Sequence, residues 1–338
     1  MSFGQDLIKY PYRVIRPVYE RTHLHRRVIE EVPERRLQWA YSYCRNLTRE
    51  FAKTFYVSTR FLPRDKQRSI FAVYALCRYL DNIVDDTSDP AMGHQVSKDQ
   101  VLQEMEEWKT HIGYTYKGLD TDNPILLAFS DVLRRHYISI DWPLELIDGV
   151  CMDLTKNRYE NFDELYSYSY KVASVVGMMV SEIFGYDNSK ALKHAEELGI
   201  AMQLTNILRD VGEDLNRDRI YLPKDEMRRF GITEEQVKKG LVDDAFRDFM
   251  RFQIDRAHCY YQKACYGIPM LSRDSRLPVI LAQMNYRRIL TKIEKNDYDV
   301  FSKRAYLTMA EKLSVVPNAW LHVEETPQAL VKMMEQKL

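Results

Sequence analysis

The spacing of hydrophobic and polar residues is helical along most of the chain. Apolar residues recur three or four positions apart, for example between residues 37 and 55, whereas strictly alternating runs are short and isolated. Prolines at the head of several segments fit the preference of proline for the first helical turn. The pattern predicts helices over residues 37–55, 66–86, 100–116, 124–137, 143–158, 162–184, 189–214, 245–267, 277–296 and 302–313. We therefore expect an all-α protein.

No break in composition divides this helical region. Glycine and proline number only twelve each and are scattered, without a low-complexity tract or a fixed repeat. We expect one large helical-bundle domain over residues 36–315, preceded by a basic arm (1–35) and followed by a C-terminal extension (316–338). The first forty residues contain seven arginines, which fit either a solvated arm or a contact with an anionic membrane surface.

Charge and cysteine content exclude several classes of function. Lys plus Arg and Asp plus Glu number 49 each, so we expect no nucleic-acid partner. Five cysteines without a CxxC pair argue against a disulfide framework and against a zinc ribbon, and they suit a reducing cytosol. Because no run of about eighteen apolar residues and no apolar leader is present, we expect a cytoplasmic protein.

An acidic stretch, YALCRYLDNIVDD (74–86), ends the second predicted helix. Its residues Tyr74, Arg78, Asp81 and Asp85 fall on one helical face. Two carboxylates one turn apart repel each other, and a hard cation held by carboxylates and phosphates, such as Mg²⁺, would relieve that repulsion. By itself the stretch fits an exposed acidic helix end equally well.

A second stretch, QLTNILRDVGED (203–214), repeats this arrangement more regularly. Asn206, Asp210 and Asp214 stand four residues apart and form an oxygen-bearing stripe about 12 Å long, at about 1.5 Å per residue. The apolar residues between them cover the other faces of the helix. Two such stripes in one chain favour a magnesium site in the core of a bundle over two solvated helix faces.

Cationic and aromatic residues near the stripes suggest the substrate. Lys53, Arg78 and Arg209 can bind the oxygens of a diphosphate. Loss of diphosphate from an allylic substrate leaves a carbocation, which a dry cavity rich in aromatic rings would protect from water. A cluster of three tyrosines (166, 168 and 170) followed by small residues around Val172 and Val176 would leave room for a long hydrocarbon, although such a run is also typical of ordinary core.

These stretches resemble the squalene/phytoene synthase family of head-to-head prenyl transferases. The resemblance rests on QLTNILRDVGEDLNRDRIYLP (203–223), on the 74–86 stretch and on AKTFY (52–56), the last in the form favoured by phytoene synthases. It extends over roughly residues 40–305. It implies the isoprenoid synthase fold, a helical bundle with a central active-site cavity, and a requirement for Mg²⁺ with Mn²⁺ as the alternative ion.

The resemblance also implies a role for individual residues. The implied metal ligands are Asp81, Asp85, Asn206, Asp210 and Asp214. The implied diphosphate contacts are Lys53, Arg78, Arg209, Tyr221 and Arg304. The implied lining of the reaction chamber comprises Tyr74, Tyr168, Gln203 and Tyr286, with Val172 and Val176 against the hydrocarbon. Tyr168 is the candidate to assist proton removal, so that the expected catalytic set is Tyr168, Arg78, Asp81, Asp85, Asp210 and Asp214.

The implied activity is that of a prenyltransferase in the first step of carotenoid biosynthesis. Two geranylgeranyl diphosphates would condense head to head into phytoene through a cyclopropylcarbinyl (prephytoene) diphosphate, releasing diphosphate and needing no NADPH. The alternative is a squalene or dehydrosqualene synthase that uses farnesyl diphosphate. A non-catalytic assembly factor on the same fold is disfavoured because all five ligand positions are intact. The hydrocarbon product leads us to expect a peripheral contact with a membrane.

Two residues bear on the length of the prenyl chain. By resemblance, Thr59 occupies a position where a bulky side chain shortens the chamber of a related C15-using enzyme. A small residue there favours the C20 substrate, whereas Phe71, one turn before Tyr74, is still large and would shape the same wall.

Overall fold

Helices account for nearly all the regular structure in the computed structural model, which describes residues 28–86 and 97–335. Within those residues β-structure is limited to two isolated bridges, Arg158 with Ile220 and Tyr186 with Leu271. The α-helices are α1 (Arg35–Phe51), α2 (Lys53–Ser58), α3 (Arg64–Asp86), α4 (Lys98–Tyr116), α5 (Pro124–Leu133), α6 (Asp141–Met152), α7 (Phe162–Ser169), α8 (Val175–Phe184), α9 (Lys190–Leu215), α10 (Lys224–Arg229), α11 (Glu234–Lys238), α12 (Asp244–Cys265), α13 (Arg273–Lys295), α14 (Met309–Ser314), α15 (Val316–Leu321) and α16 (Pro327–Glu335). The prediction of an all-α fold is confirmed.

Local sequence signals explain where many of these helices begin. The side chain of Asn123 accepts hydrogen bonds from the backbone N–H groups of Ile125 and Leu126 at 2.9 and 3.2 Å, and Pro124 occupies the first turn of α5. Ser97 and Gln100 form a reciprocal capping box at the start of α4. These caps satisfy N–H groups that have no partner inside the helix.

Several predicted helices differ from those observed. The predicted 124–137 and 143–158 helices end earlier, at Leu133 and Met152, and the predicted 277–296 helix begins earlier, at Arg273. The predicted 37–55 helix is divided at Ala52 into α1 and α2. The predicted 162–184 helix contains a π-helical turn, Tyr170–Ser174, between α7 and α8. The prediction for residues 302–313 is wrong for 302–308, where alternate residues such as Ala305 and Leu307 are buried, as in an extended segment; α14 starts only after the capping box of Thr308.

Two groups of buried side chains form the core. The first surrounds α1, α3, α5 and α8 and includes Val28, Ile29 and Val32. The second surrounds α9 and α12. Val172 of the π turn packs against both groups, so this turn lies where they meet. Residues 1–27 of the predicted arm lie outside the described part of the chain, and the division into arm, domain and extension stays a prediction.

Two glycines allow neighbouring helices to approach the π turn closely. A Cβ atom on Gly199 of α9 would lie 2.5 Å from Cα of Ser174, and one on Gly149 of α6 would lie 2.6 Å from Cβ of Lys171. Helices α6 and α9 therefore enclose the turn from two sides at distances that only glycine permits. In residues 28–86 and 97–335 no helix combines the length and the hydropathy needed to cross a bilayer.

Candidate active site

The oxygen-bearing stripe of α9 lies on the less buried face of that helix. Asn206, Asp210 and Asp214 are each half-buried, whereas Ile207 and Val211 between them are only 4% and 5% exposed. The regular α-helix over Lys190–Leu215 keeps the three polar residues in register. Their side chains therefore share a face that the core does not fill.

Two arginines converge on Asp210. Nε of Arg209 donates to Oδ1 of Asp210 at 2.8 Å, and Nε of Arg304 donates to the same oxygen at 2.9 Å. Although burial acts against the charged form, these hydrogen bonds lower the pKa of Asp210 below its usual value. The result is an ionised carboxylate flanked by two guanidinium groups, a combination that suits both a cation and a diphosphate.

Asp214, one turn further along α9, has the opposite electrostatic surroundings. Burial raises its pKa to about 7, and the negative charges of Asp210 and Asp153 act in the same direction. Arg219 acts against this shift. A bound cation would remove the repulsion between these acids.

The donor set fits a hard cation that is shared with a substrate. Carboxylate and amide oxygens are the ligands Mg²⁺ prefers, and it is usually held by one or two carboxylates together with waters and substrate phosphates. Among the residues that the structure describes, no three His, Cys, Asp or Glu side chains are grouped closely enough to hold an ion alone. The carboxylate and amide oxygens of the α9 stripe suit an ion of this kind.

The acidic stretch of α3 also carries an arginine–aspartate pair. Nη1 of Arg78 donates to Oδ2 of Asp81 at 2.8 Å, and the guanidinium lies 4.8 Å from the ring centroid of Phe51. Phe51 thereby limits the freedom of Arg78 through a cation–π contact. The side chains of Asp85 and Lys53, which the sequence also predicts to act here, lie outside the described part.

Tyr74 and Tyr286 connect the two acidic helices. Burial raises the pKa of Tyr74, on α3, to about 12; Arg78 opposes this shift, and Asp81 and the phenol of Tyr286, on α13, are close enough to act on Tyr74 in the same direction as burial. Burial also raises the pKa of Tyr286, whose hydroxyl senses Arg209 and Asp210 of α9. Tyr74 and Asp81 of α3, Tyr286 of α13, and Arg209 and Asp210 of α9 are therefore close enough to affect one another electrostatically.

Gln203 lies on the same side of α9 as the stripe. Nδ2 of Asn206 donates to Oε1 of Gln203 at 3.4 Å, one turn earlier on the helix. The structure therefore brings the predicted chamber residue Gln203 next to a predicted metal ligand.

Aromatic pairs line the junction of α2 with α3. Phe55 stacks on Tyr74, and Tyr56 stacks on Phe71, each at 5.5 Å between ring centroids. The hydroxyl of Thr59, which is 2% exposed, donates to the backbone oxygen of Tyr56 at 2.8 Å. The two residues predicted to set chain length, Thr59 and Phe71, therefore both contact Tyr56.

A further group of aromatic residues surrounds Asp153, at the C-terminal end of α6. The hydroxyls of Tyr168 and Tyr221 lie 3.0 and 2.8 Å from the two carboxylate oxygens of Asp153. The ring of Tyr159 lies within 5.6 Å of both tyrosine rings. Burial, and then the charge of Asp153, raise the pKa of Tyr168 well above its usual value, so Tyr168 is a neutral phenol.

Comparison with known proteins identifies the family. A family model described as squalene/phytoene synthase matches residues 48–311. The chain belongs to the squalene/phytoene synthase family. It is 41% identical over 297 residues to a 15-cis-phytoene synthase of Synechococcus elongatus, a match covering 84% of this chain and 94% of the relative. It is 39% identical to the chloroplastic phytoene synthase 1 of Arabidopsis thaliana, over 83% of this chain and 66% of that protein.

Solved structures agree with this membership. A dehydrosqualene synthase crystallised with a ligand superimposes with a TM-score of 0.77 at 26% identity, covering 85% of this chain and 98% of that one. A squalene synthase from Alicyclobacillus acidocaldarius shares the fold, with a TM-score of 0.72 at 24% identity over 80% of this chain and 99% of that one. The predictions of the squalene/phytoene synthase family and of its isoprenoid synthase fold are confirmed.

Three residues near the predicted site of this family member were not found from the sequence. Asp153 stands as a single charge between apolar residues, and Arg219 lies in the charged run 217–219 of the 203–223 stretch, where its spacing gave it no place on the oxygen-bearing stripe. Lys312 lies in the 302–313 segment, where apolar spacing predicts a helix but does not single out this lysine. In the structure it lines a crevice with Ser58 and Asn285. Burial and the charge of Arg209 lower the pKa of Lys312 below its usual value.

Proposed function

We propose that this chain condenses two geranylgeranyl diphosphates head to head into phytoene, with release of both diphosphates. The observation that carries the proposal is the convergence of Arg209 and Arg304 on Asp210, within an acidic stripe that shares an electrostatic neighbourhood with Tyr74 and Asp81. Cations beside carboxylates suit a metal diphosphate, and the phytoene synthases at about 40% identity support the C20 substrate.

The metal ligands follow the two stripes. Asn206, Asp210 and Asp214 on α9, with Asp81 and Asp85 on α3, would hold Mg²⁺, or Mn²⁺ as the alternative. When bound, the ion neutralises charge on the diphosphate and favours its departure.

The remaining site residues bind the diphosphates and shield the cation. Arg78, Arg209 and Arg304 can each turn a guanidinium from a carboxylate to a phosphate oxygen, and Lys53 adds a further positive charge. The faces of Tyr74 and Phe55 present electron-rich surfaces to a carbocation and keep water out.

The reaction balances without a reductant. The C–O bond of one diphosphate breaks, the C2–C3 double bond of the second substrate attacks the resulting cation, and loss of a proton closes a cyclopropylcarbinyl diphosphate. Its diphosphate then leaves, the ring opens with rearrangement, and loss of a second proton gives the hydrocarbon. Tyr168 is the residue we propose to assist proton removal, because its phenol is buried and lies 3.5 Å from the hydroxyl of the predicted diphosphate contact Tyr221.

Incubation of the purified full-length chain with C20 or C15 diphosphate, with and without NADPH, tests the proposal. We expect a C40 hydrocarbon from the C20 substrate, two diphosphates released per hydrocarbon and no effect of NADPH. Excess chelator should stop both diphosphate release and hydrocarbon formation. An exclusive C30 product would establish the farnesyl alternative, and full activity in chelator would refute the metal assignment.

We also propose that the segment 303–321, which includes the extended residues 303–308 and the helices α14 and α15, contacts a membrane. Tyr306, Trp320 and Leu321 are 65%, 65% and 76% exposed, and the surrounding segment 303–321 contains three basic residues and one acidic residue. Exposed aromatic and aliphatic side chains with flanking cations suit an anionic bilayer interface.

Replacing Trp320 and Leu321 with serine should lower flotation with anionic vesicles about tenfold. Tyr137→Ser, at a similarly exposed tyrosine, should leave flotation unchanged; equal flotation of both variants would contradict the assignment.

A further inference from the structure

Asp153 holds the hydroxyls of two tyrosines at once. Tyr221 donates to its Oδ1 at 2.8 Å, and Tyr168 approaches its Oδ2 at 3.0 Å. The two phenol oxygens are 3.5 Å apart. Because each hydroxyl has one hydrogen, and the carboxylate contact of Tyr168 is the shorter, we assign both hydrogens to Asp153.

The surroundings of Asp153 stabilise its negative charge. Nη1 of Arg219 lies 3.8 Å from Oδ2, and Nη2 donates to the backbone oxygen of Asp153 at 3.3 Å. The side chains of Asp153 and Arg219 are 13% and 6% exposed. A charge this buried persists only when it is paired, so Asp153 and Arg219 depend on each other.

This arrangement determines whether Tyr168 and Tyr221 present their oxygens or their hydroxyl hydrogens to a substrate. A hydroxyl whose hydrogen is bound by a carboxylate turns the lone pairs of its oxygen away from that carboxylate. Tyr159, Tyr168 and Tyr221 pack ring against ring, with Tyr168 and Tyr221 5.2 Å apart, so the rings have little freedom to reorient. The group also adjoins the metal stripe, because the backbone N–H of Arg219 donates to the backbone oxygen of Asp214 at 3.0 Å.

We propose that Asp153 is a positioning residue that directs the oxygens of Tyr168 and Tyr221, rather than their hydrogens, toward the carbocation formed after diphosphate departs. The proposal rests on the proposed function. An oxygen fixed in this way stabilises positive charge through its dipole, and it can receive the proton that the cation loses while its own hydrogen passes to the carboxylate of Asp153. Without Asp153 the hydroxyls rotate freely, and water competes for the cation.

The test is the ratio of diphosphate released to hydrocarbon formed. Asp153→Asn retains the shape of the side chain, but its amide nitrogen cannot accept a hydrogen bond. We expect the kcat for hydrocarbon formation to fall about 10- to 100-fold with KM changed less than about threefold, as for loss of a charge-assisted hydrogen bond in the transition state. In Asp153→Asn the ratio of diphosphate released to hydrocarbon formed should rise above two, because water captures part of the carbocation as prenyl alcohol. Asp153→Glu, which keeps the carboxylate, should bring this ratio part of the way back to two.

A matched control separates this effect from destabilisation. Glu226 is another buried carboxylate, bonded by Gln253 at 2.7 Å and by Arg256 at 2.8 Å. Glu226→Gln should lower the thermal midpoint but leave the ratio at two. An equal rise of the ratio in Glu226→Gln and Asp153→Asn would overturn the proposal.

Tyr168→Phe provides a test that does not depend on the folding of Asp153→Asn. It should uncouple diphosphate release to the same extent, and the double variant should be no worse than the poorer single variant. Full coupling in Tyr168→Phe would refute the positioning role. If the wild-type chain makes no hydrocarbon from C20 diphosphate, both the proposed function and the role of Asp153 fail. If the wild type is active and every variant keeps diphosphate release coupled to hydrocarbon formation, only the role of Asp153 fails.

Discussion

Single side chains decide the chemistry of the site, and Asp210 is the metal candidate on which Arg209 and Arg304 converge. It accepts hydrogen bonds from Arg209 and Arg304 and belongs to the stripe completed by Asn206 and Asp214. Its spacing along α9 is visible in the sequence. Its contact with Arg304, ninety-four positions away, is not, because that contact depends on how the 302–308 segment folds back over α9.

Asp210→Ala should reduce hydrocarbon formation about 10³-fold or more, since several kcal/mol of charge stabilisation are lost and each 1.36 kcal/mol is tenfold in rate. Turnover under saturating Mg²⁺, with circular dichroism to check folding, measures the effect. Asp248→Ala is the matched control, because Asp248 forms only an exposed pair with Arg251. Turnover of Asp210→Ala within threefold of wild type would remove Asp210 from the metal site.

Thr59 is the residue at which we expect the length of the prenyl chain to be set. It is fully buried beside Tyr56, which stacks on Phe71. Thr59→Phe should lower kcat/KM for the C20 diphosphate about 10- to 100-fold relative to the C15 diphosphate, the range typical of steric discrimination in an apolar pocket. Thr59→Val, which keeps the size of the side chain, should leave the ratio unchanged; an unchanged ratio in Thr59→Phe would show that the chamber ends elsewhere.

At the scale of elements, apolar periodicity predicts the helices but not their interruptions. The π turn at Tyr170–Ser174 lies inside a segment whose period is continuous, and its position depends on α6 and α9 approaching through Gly149 and Gly199. A π turn contains one residue more than an α-helical turn, so it rotates every later side chain about the helix axis. Such turns are frequent at functional sites. Here the turn separates Tyr168 from Val176.

Gly199→Ala should lower the free energy of unfolding by about 1–3 kcal/mol, the usual cost of overpacking. Its Cβ would lie 2.5 and 2.7 Å from backbone atoms of Ser174, which no rotamer change can relieve. Gly113→Ala, also inside a helix but with nothing within 4 Å, should raise stability by about 0.5–1 kcal/mol. Urea unfolding of both variants measures the difference, and equal effects would mean that the contact with the π turn is not tight.

For the whole molecule, the half-buried His258 makes stability depend on pH. Burial, and then the charge of Arg287, lower the pKa of His258 from its ordinary value of 6.5 to about 4. Nε of Arg287 also donates to Nδ1 of His258 at 3.4 Å, a contact that requires that nitrogen to be unprotonated. Because the folded pKa is depressed, the unfolded chain binds more protons between pH 6.5 and 4, so stability falls as pH falls through that window.

Relative to wild type, His258→Asn should remove about 1–3 kcal/mol of this acid sensitivity, at about 1.4 kcal/mol per pH unit with allowance for partial exposure. Asparagine can still accept from Arg287 through Oδ1. Urea unfolding of both proteins at pH 7 and pH 4.5 measures the difference between them, which cancels the titration of other groups. Parallel pH profiles would show that His258 does not carry this dependence.

The amino-acid sequence by itself determined the helical class, the family and the register of the two acidic stripes. Each of these depends on residues close together along the chain: apolar spacing, capping residues, and carboxylates one turn apart. The activity inferred from it agrees with the names of the curated relatives, while the individual site residues stay predictions.

Only the tertiary structure brought together Asp153 with Tyr168 and Tyr221, and Arg304 with Asp210. The members of each group are between 15 and 94 positions apart. Their proximity, and the pKa shifts that follow from it, depend on which helix faces pack together and on how deeply each charge is buried. No local pattern encodes these quantities.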